Sequence, residues 1–378
     1  MTMQWSRRSV MGAATLGAAT LGTGYGLGGA TSALAAAAPP PLRFGPAPGV
    51  ALLSRNENPY GPAPSAIQAM VSTASKGCYY SDQAGAVLAA MVAERFGLDA
   101  DHVALSGGST EALCSVALAW APKGAILCPD LFWDTTVTYA EAKGAVLNRV
   151  PLGADMSIDL DAIEAAIDSA TGLVHICNPN NPTGMVLDGA KLRAFIRRVS
   201  PKVTVLVDEA YMELTDNPDY SSVVDLVKEG QNLIVTRTFS KIYGMAGLRV
   251  GYAIASPDKA VVIRNYMMGF GGNQAGLAAA IASYNDTSFT SFSKERITEA
   301  RGIMLDAVKK AGLEALPSQT NFLFVKVPDA DKLRDAMAAQ NIMIRGTYGK
   351  WTSWSRVSTG KIEDVKRYAA ALPTALGA

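Results

Sequence analysis

The sequence predicts an α/β fold: a large domain with a mostly parallel sheet sandwiched by helices, and a smaller α+β domain. Three observations support this prediction. Between residues 103 and 254, short apolar runs alternate with helical patterns, which is the rhythm of βαβ units. After a long helical stretch at 293–311 the pattern changes to short strands separated by two helices. Hydrophobic residues make up 49% of the 378 residues, which is ample for a large buried core.

The elements of the large domain follow from the apolar and helical periodicities. Strands are predicted at 103–105, 125–128, 145–150, 173–177, 203–207, 233–235 and 250–254. Helices are predicted at 64–75, 85–96, 109–120, 133–143, 159–169 and 190–199. Sheets of this kind bind ligands at the carboxyl ends of their strands, so the residues that follow each strand are the candidates for chemistry.

The smaller domain is predicted from three strand-like runs and two helical patterns. The strands are expected at 321–327, 342–345 and 354–357, and the helices at 331–340 and 362–372. A polar, turn-forming arm at 39–65 is expected to pack against this domain. The predicted division is therefore 39–65 for the arm, 66–268 for the large domain and 269–378 for the small domain.

The N-terminus departs from globular composition. Paired arginines, Arg7 and Arg8, precede an uncharged stretch rich in Gly, Ala, Thr and Leu that runs to Ala38 and a proline break. This resembles a twin-arginine export signal and predicts a signal peptide at 1–38, cut after Ala35 or one of the next three alanines. The protein is then expected to be periplasmic or secreted, in a bacterium. The alternatives are a disordered tail and a membrane anchor, and the many glycines argue against an anchor.

Composition limits the partners. The formal net charge of +1 argues against nucleic acid or an acidic polymer as a partner. The cysteines lie scattered in apolar segments, which predicts buried free thiols rather than a disulfide framework or a metal site: Cys78, Cys114, Cys128 and Cys177. No metal is predicted, and the two histidines, His102 and His175, are expected to be structural.

The stretch from 235 to 250 carries the first candidate chemistry. Lys241 follows an apolar strand and has small, hydroxylated neighbours, so partial burial would lower its pKa and make the amine a nucleophile. The hydroxyls of Thr238 and Ser240 and the guanidinium of Arg249 suit a phosphate dianion. An amine beside an anchored phosphate is what pyridoxal phosphate requires. The alternative is a surface lysine on a strand-to-helix turn.

Three further strand ends carry polar residues. Ser109 and Thr110 open a helix and either seat a phosphate or simply cap that helix with Glu111. Asn181 lies in a turn made rigid by two prolines. The fixed backbone of this turn would present the Asn181 side-chain amide as a hydrogen-bond donor. Asp208 ends a wholly apolar strand, where a carboxylate is costly unless it meets a cation. A helix cap is the alternative for Asp208.

These segments, in order, resemble the class I/II, fold-type I aminotransferases that use pyridoxal 5′-phosphate. The resemblance rests on Asn-Pro-Asn-Asn-Pro-Thr-Gly at 178–184, Val-Asp-Glu-Ala-Tyr at 207–211, and Thr-Phe-Ser-Lys at 238–241 with Gly-Leu-Arg-Val-Gly at 247–251. Asn-Glu-Asn-Pro-Tyr-Gly at 56–61 and Trp-Ser-Arg-Val-Ser-Thr-Gly at 354–360 are similar to the histidinol-phosphate aminotransferase branch. The resemblance implies transamination between an L-amino acid and a 2-oxo acid.

Matching positions imply roles for the residues around the cofactor. Lys241 is similar to the lysine that bonds to the cofactor's aldehyde and then moves the substrate's α-proton. Asp208 matches the carboxylate that keeps the pyridine nitrogen protonated, and Asn181 and Tyr211 match the donors to the ring oxygen. Phe132 occupies the position of the aromatic over the ring, or Trp133 does if the register is shifted by one. The phosphate cup is matched by Ser109, Thr110, Thr238, Ser240 and Arg249.

The resemblance also implies a substrate side and a dimer. Arg356 matches the arginine that clamps the substrate's carboxylate, and Asn321 and Arg345 match positions that line the substrate side. Tyr80 resembles the tyrosine that reaches the cofactor phosphate of a neighbouring subunit, which implies a homodimer with shared sites.

Two other functions stay open from sequence. The same fold, cofactor and lysine could serve a lyase or a racemase. A non-catalytic periplasmic binding protein is the third hypothesis, and the joint presence of Lys241, Asp208 and Arg356 argues against it. The amino donor is also open, because an exported protein does not suit biosynthetic histidinol-phosphate chemistry in the cytoplasm.

Overall fold

The computed structural model describes residues 42–269 and 272–377; the predicted signal peptide lies outside these ranges. The strands of the described residues are β1 Ala51–Leu52, β2 Val103–Ser106, β3 Ala125–Pro129, β4 Leu147–Val150, β5 Thr171–Cys177, β6 Thr204–Asp208, β7 Leu233–Thr238, β8 Gly251–Ala255, β9 Glu314–Ala315, β10 Phe322–Lys326, β11 Ile342–Met343 and β12 Trp354–Ser358.

A seven-stranded sheet forms the centre of the large domain, in the order β2-β8-β7-β6-β5-β3-β4. Strand β8 runs antiparallel to both of its neighbours, and the other pairs are parallel. Every residue of β3, β5, β6 and β7 is buried, as expected for strands covered by helices on both faces. The predicted α/β fold with a mostly parallel sheet is confirmed.

Helices cover this sheet and build the smaller domain. In the described residues they are α1 Pro64–Thr73, α2 Asp82–Phe96, α3 Ser109–Trp120, α4 Thr135–Glu141, α5 Leu160–Ala165, α6 Gly189–Val199, α7 Pro218–Ser221, α8 Asp225–Lys228, α9 Pro257–Asn265, α10 Gln274–Tyr284, α11 Thr287–Lys310, α12 Ala330–Ala338 and α13 Ile362–Ala375.

Helices α7, α8, α9 and α10 were not predicted from the sequence, and α11 begins earlier than predicted. Helix α10 was not predicted, because its sequence is apolar nearly all round and shows no helical period. Helix α11 begins at Thr287 rather than at 293. Asp286 accepts a hydrogen bond from the Phe289 N–H at 3.0 Å and so caps the helix before its hydrophobic stripe starts.

The smaller domain contains a second sheet, β12-β10-β9, whose strands pair antiparallel. In the arm, β1 pairs with β11 in parallel, so this part of the N-terminal arm packs on the small domain. Helix α11 contributes Ile297 to the core of the large domain and Ala300 and Met304 to the core of the small one. One helix therefore contributes to both cores. The predicted domain boundary at 268/269 stays a prediction.

The burial of the cysteines and of His175 follows from their places in the fold. The four cysteines are free thiols. Cys128 and Cys177 are buried as expected, Cys114 is only partly buried, and Cys78 is exposed because it lies in the turn before α2. His175 is buried in β5, and burial lowers its pKa to about 3, which fits a structural role. No helix in residues 42–269 and 272–377 is long and apolar enough to cross a membrane.

Candidate active site

The predicted polar residues converge on one cleft of about 550 Å³ at the carboxyl ends of β5, β6 and β7. The first turn of α3 closes one side of the cleft. The lining residues are Ser109, Thr110, Trp133, Asn181, Asp208, Ala210, Tyr211, Thr238, Ser240, Lys241, Ala246 and Arg249. Nine of the residues predicted from sequence are therefore brought together.

The α3 end of the cleft forms a cradle for an anion. Gly108, just before α3, has φ +83°, and a Cβ there would lie 2.1 Å from Nη2 of Arg249. Only glycine therefore lets the guanidinium lie against the helix N-terminus, where free N–H groups also point. Glu111 accepts a hydrogen bond from the Gly107 N–H, but the N-cap residue is Gly108 and neither Ser109 nor Thr110 caps the helix.

The opposite wall of the cradle consists of hydroxyls and a fixed guanidinium. Thr238 Oγ1 donates to Ser240 Oγ at 2.8 Å, and Arg249 Nη1 lies 3.4 Å from the same oxygen. Arg249 is anchored by the carbonyls of Ala246, at 2.8 Å, and Gly107, at 3.1 Å. The donors on this side of the cleft point to one place, and no carboxylate is among the described residues that line this side. Such a group of donors suits a phosphate dianion.

Lys241 is half-buried and lines the cleft. Its Nζ donates to the backbone carbonyl of Asn56 at 3.3 Å and lies 5.3 Å from the centre of the Tyr211 ring. Desolvation, together with the charge of Arg356, lowers the pKa of Lys241 to about 8. About a tenth of the amine is therefore unprotonated at pH 7, far more than for an ordinary lysine, and the unprotonated form is the nucleophile.

Asp208 ends β6 at the floor of the cleft and is 4% exposed. Its Oδ1 accepts hydrogen bonds from Thr236 Oγ1 at 3.3 Å and the Ala210 N–H at 3.2 Å, and its Oδ2 lies 3.9 Å from Cys177 Sγ. Burial raises its pKa to about 6. Within residues 42–269 and 272–377 no cationic side chain lies within 4 Å of this carboxylate, so it suits a cationic ring nitrogen.

Tyr211, Asn181 and Arg356 form a hydrogen-bonded chain along one wall. Arg356 Nη1 donates to Asn181 Oδ1 at 2.7 Å, which turns the Asn181 amide nitrogen towards the Tyr211 oxygen at 3.4 Å. Arg356 Nη2 donates to the Ser54 carbonyl at 2.7 Å. Its Nε is buried and has no hydrogen-bond partner among the described residues. Two of the five guanidinium N–H groups are used in these two hydrogen bonds, so the guanidinium keeps donors for a carboxylate.

The aromatic residue of the cleft is Trp133, and the prediction of Phe132 is wrong. Phe132 is 4% exposed and packs edge-on against the His175 ring, with centroids 5.1 Å apart. After β3 ends at Pro129, the chain turns so that Phe132 enters the core behind the sheet and Trp133 faces the cleft. The pattern of two adjacent aromatics does not reveal which one is buried.

Four other predicted residues do not line the cleft, and one of them, Arg356, adjoins it through its hydrogen bond to Asn181. Tyr80 is 78% exposed and borders a neighbouring depression that also includes Arg249. Asn321 is buried and donates to the Asn56 carbonyl at 2.9 Å, so it supports the arm from behind. Arg345 is exposed, and its guanidinium carbon lies 5.3 Å from the Tyr348 ring.

One residue at the site was missed by sequence reasoning. Asn56 of the arm is 1% exposed, has φ +56°, and contacts both Lys241 and Tyr211. The available signal was its place in the 56–61 motif, because asparagine is the commonest non-glycine residue in left-handed backbone. No group of three or more His, Cys, Asp or Glu side chains in the described part of the chain could hold a metal ion.

Comparison with known proteins places this geometry in a family. Residues 48–372 match the model of the family "Aminotransferase class I and II". Histidinol-phosphate aminotransferase 1 of Cupriavidus pinatubonensis is 36% identical over 344 residues, covering 87% of this chain and 89% of that protein. An aromatic amino acid aminotransferase of Cutibacterium acnes is 33% identical over 295 residues, covering 78% of this chain and 84% of its own.

Solved structures agree with these relatives. Histidinol-phosphate aminotransferase from Sinorhizobium meliloti, in complex with pyridoxal-5′-phosphate, superposes with a TM-score of 0.81 at 28% identity. The superposition covers 87% of this chain and 91% of that one. A putative histidinol-phosphate aminotransferase from Erwinia carotovora atroseptica has a TM-score of 0.82 at 29% identity, covering 85% and 94%.

Proposed function

Because this chain belongs to the class I and II aminotransferases and is a pyridoxal-phosphate-dependent enzyme of the histidinol-phosphate aminotransferase type, we propose that its cleft transfers an amino group from an L-amino acid to a 2-oxo acid. The observation that carries the proposal is that Lys241 and Asp208 line one cleft and that Arg356 adjoins it through its hydrogen bond to Asn181. A protein that only bound amino acids would not need a buried carboxylate that lacks a cationic partner. Nor would it need a lysine of lowered pKa in the same cleft.

The residues of the cleft fit the cofactor. Ser109, Thr110, Thr238, Ser240 and Arg249 would hold its phosphate, and Asp208 would pair with the protonated ring nitrogen. Trp133 would cover a face of the ring. Bound pyridoxal phosphate supplies an electron-withdrawing ring that stabilises the charge left on the substrate's α-carbon after loss of a proton.

The side chains of the chain itself supply binding and proton transfer. Arg356 orients the substrate by its carboxylate, using the guanidinium that Asn181 and the Ser54 carbonyl already hold in place. Lys241 Nζ, once free, takes the α-proton as general base and returns it as general acid. The pKa of about 8 for this amine matches a group that must do both near neutral pH.

The proposal includes a homodimer in which Tyr80 of each subunit completes the site of the other. Support comes from the position of Tyr80 beside the depression that contains Arg249. Tyr79 and Met268 on the same side are also exposed, at 69% and 81%, which suits a surface that another copy would cover.

The proposal also places the mature protein outside the cytoplasm. The paired arginines at 7 and 8 and the uncharged stretch that follows them support export by the twin-arginine route. Such a leader favours a donor other than the histidinol phosphate named for the relatives. A free amino acid, whose α-carboxylate Arg356 could clamp, is the donor we expect.

A single-turnover donor screen tests this function. Loaded enzyme is mixed with L-histidinol phosphate, aromatic L-amino acids or L-glutamate, and the cofactor product is identified by chromatography. Formation of pyridoxamine phosphate with one stoichiometric oxo acid supports transfer. Ammonia with pyruvate from a β-substituted amino acid would indicate a lyase, and loss of optical activity without pyridoxamine phosphate would indicate a racemase.

A further inference from the structure

Asn56 contacts both the amine and the hydroxyl on which the proposed chemistry depends. It lies in the N-terminal arm, just after β1, and reaches Lys241 from the opposite end of the sequence. It is 1% exposed, so its polar atoms must all find partners inside the protein. The partners show how it is held and what it holds.

The backbone carbonyl of Asn56 accepts two hydrogen bonds. One comes from Asn321 Nδ2 at 2.9 Å, and the other from Lys241 Nζ at 3.3 Å. A carbonyl oxygen has two lone pairs, so both are used. Asn321 therefore fixes the oxygen, and the oxygen gives the lysine amine a defined resting place.

The side chain of Asn56 is oriented by Ser358 of β12. Ser358 Oγ accepts the Asn56 N–H at 2.9 Å and donates to Asn56 Oδ1 at 2.6 Å. This closed pair leaves the amide nitrogen of Asn56 to donate to the Tyr211 oxygen at 3.0 Å. Because Asn181 Nδ2 also donates to that oxygen, the hydroxyl proton of Tyr211 is left to point into the cleft.

The backbone of Asn56 has an unusual conformation. Its φ of +56° lies in the left-handed region, which asparagine and glycine tolerate and alanine does not. Two residues later, Asn58 Nδ2 donates to the Ile242 carbonyl at 2.8 Å and to Ser293 Oγ at 3.0 Å. The arm thus holds the lysine-bearing segment at two adjacent points.

We propose that Asn56 is a positioning residue of this enzyme. Its backbone carbonyl accepts a hydrogen bond from the amine of Lys241 whenever that amine has no covalent bond to the cofactor. Its side-chain amide turns the Tyr211 hydroxyl into the cleft. The inference rests on the proposed roles of Lys241 and Tyr211. The charged groups that act on Lys241 are Arg356, Asp208, Glu57 and Arg249, and none of them is changed in the test below.

The test compares Asn56→Gly with Asn56→Ala in the full chain. Glycine keeps the left-handed backbone and its carbonyl but loses the amide, whereas alanine loses the amide and disfavours the bend. Asn341→Gly and Asn341→Ala are matched controls, because Asn341 is an exposed asparagine with φ +58° in the turn before β11. Far-ultraviolet circular dichroism checks that each variant is folded.

The first readout is the pH dependence of Lys241 acetylation in cofactor-free protein, followed by peptide mass spectrometry. A carbonyl that accepts from the ammonium group favours the protonated form. The midpoint is therefore expected to fall by about 0.5–1 pH unit in Asn56→Ala and to stay at the wild-type value in Asn56→Gly and both controls. An unchanged midpoint in Asn56→Ala, or an equal fall in Asn56→Gly, would overturn the role of the carbonyl.

The second readout is the dissociation constant for pyridoxal 5′-phosphate. Both Asn56 variants are expected to bind it about fivefold more weakly, because the Tyr211 hydroxyl is no longer directed into the cleft. Wild-type affinity in Asn56→Gly would overturn the role of the amide. If wild-type protein fails to bind the cofactor at all, the proposed function fails instead, and the two failures are thereby distinguished.

Discussion

At the scale of single residues, the site is built from groups in environments that oppose their usual ionisation. Burial raises the pKa of Asp208 to about 6, although the hydrogen bonds from the Thr236 hydroxyl and the Ala210 N–H act in the opposite direction. Lys241 is desolvated and lies near the positive charge of Arg356, which lowers its pKa to about 8. Both departures cost stability in the cofactor-free protein, and both prepare the cleft for a cationic ring and a nucleophilic amine.

Asp208→Asn is expected to stabilise the cofactor-free protein at pH 8 and to lower its transamination activity. The carboxyl binds its proton more tightly when folded, with a pKa of about 6 against 3.8, so its contribution to stability is full below pH 3.8 and is lost as the pH rises through 6. The gain at pH 8 is about 1–3 kcal/mol by denaturant unfolding, with little gain at pH 4.

The control for this prediction is Asp306→Asn, an exposed carboxylate on α11. It should leave the free energy of unfolding unchanged at both values of pH. Transamination by Asp208→Asn should fall by about two orders of magnitude or more, because an amide does not stabilise a protonated ring nitrogen. A variant that is less stable than wild type at pH 8 would contradict this account of the buried carboxylate.

At the scale of elements, the ends of β6 and β7 are fastened together just beside the cleft. Arg237 of β7 donates through Nε and Nη2 to Oε2 of Glu209, at 3.0 and 2.7 Å, and Ser222 joins the pair. Glu209 directly follows Asp208, so this buried ion pair fixes the strand end that carries the ring-binding carboxylate. Breaking a buried pair leaves an uncompensated charge.

Arg237→Met is expected to lower the free energy of unfolding by about 3–5 kcal/mol at pH 7, because Glu209 loses its guanidinium partner in a site that water does not reach. The matched control is Arg197→Met, which removes an ion pair with Glu229 whose two side chains are 46% and 42% exposed. The control should cost about 0–1 kcal/mol. Equal losses in the two variants, measured by urea unfolding, would contradict the role given to burial.

The sequence predicted the helices and strands best where the hydrophobic period was strong or where polar residues followed the end of a strand. The strand that ends at Asp208, the strand that precedes Lys241 and the helix that begins at Ser109 were found because apolar runs stop abruptly there. Helix α10 was not found, since burial on several sides removes the amphipathic period. Phe132 and Trp133 were confused because adjacent aromatics differ only in tertiary packing.

Asn56 shows a further limit of sequence reasoning. Its contacts join residues 185 and 155 positions away, to Lys241 and Tyr211, and depend on a left-handed backbone. Neither periodicity nor local spacing reports such contacts. Residues that act through long-range hydrogen bonds were therefore visible only once the fold was assembled.

At the scale of the whole molecule, the arm and helix α11 tie the two cores to the cleft. The arm pairs with β11 and supplies Asn56, while α11 contributes to both cores. Arg356, on β12 of the small domain, reaches Asn181 after β5 of the large one. The site therefore depends on both domains keeping their present arrangement, as expected for an enzyme that encloses its substrate.

The proposed export makes a prediction about the complete chain. Expressed in a bacterium with a twin-arginine pathway, the protein should appear outside the cytoplasm with an N-terminus that begins between residues 36 and 39. Replacing Arg7 and Arg8 by lysines should retain full-length protein in the cytoplasm. Intact mass spectrometry of both fractions decides the matter; uncleaved chain in the cytoplasm of the unaltered strain would contradict export.

The most direct test of the account is the site at which pyridoxal 5′-phosphate attaches. Wild-type protein is loaded, reduced with borohydride and digested, and the modified peptide is sequenced by mass spectrometry beside Lys241→Ala and the surface control Lys326→Ala. The account predicts one adduct, on Lys241, in wild type and control, and neither adduct nor transamination in Lys241→Ala. A specific adduct on another lysine, or an active Lys241→Ala enzyme, would contradict it.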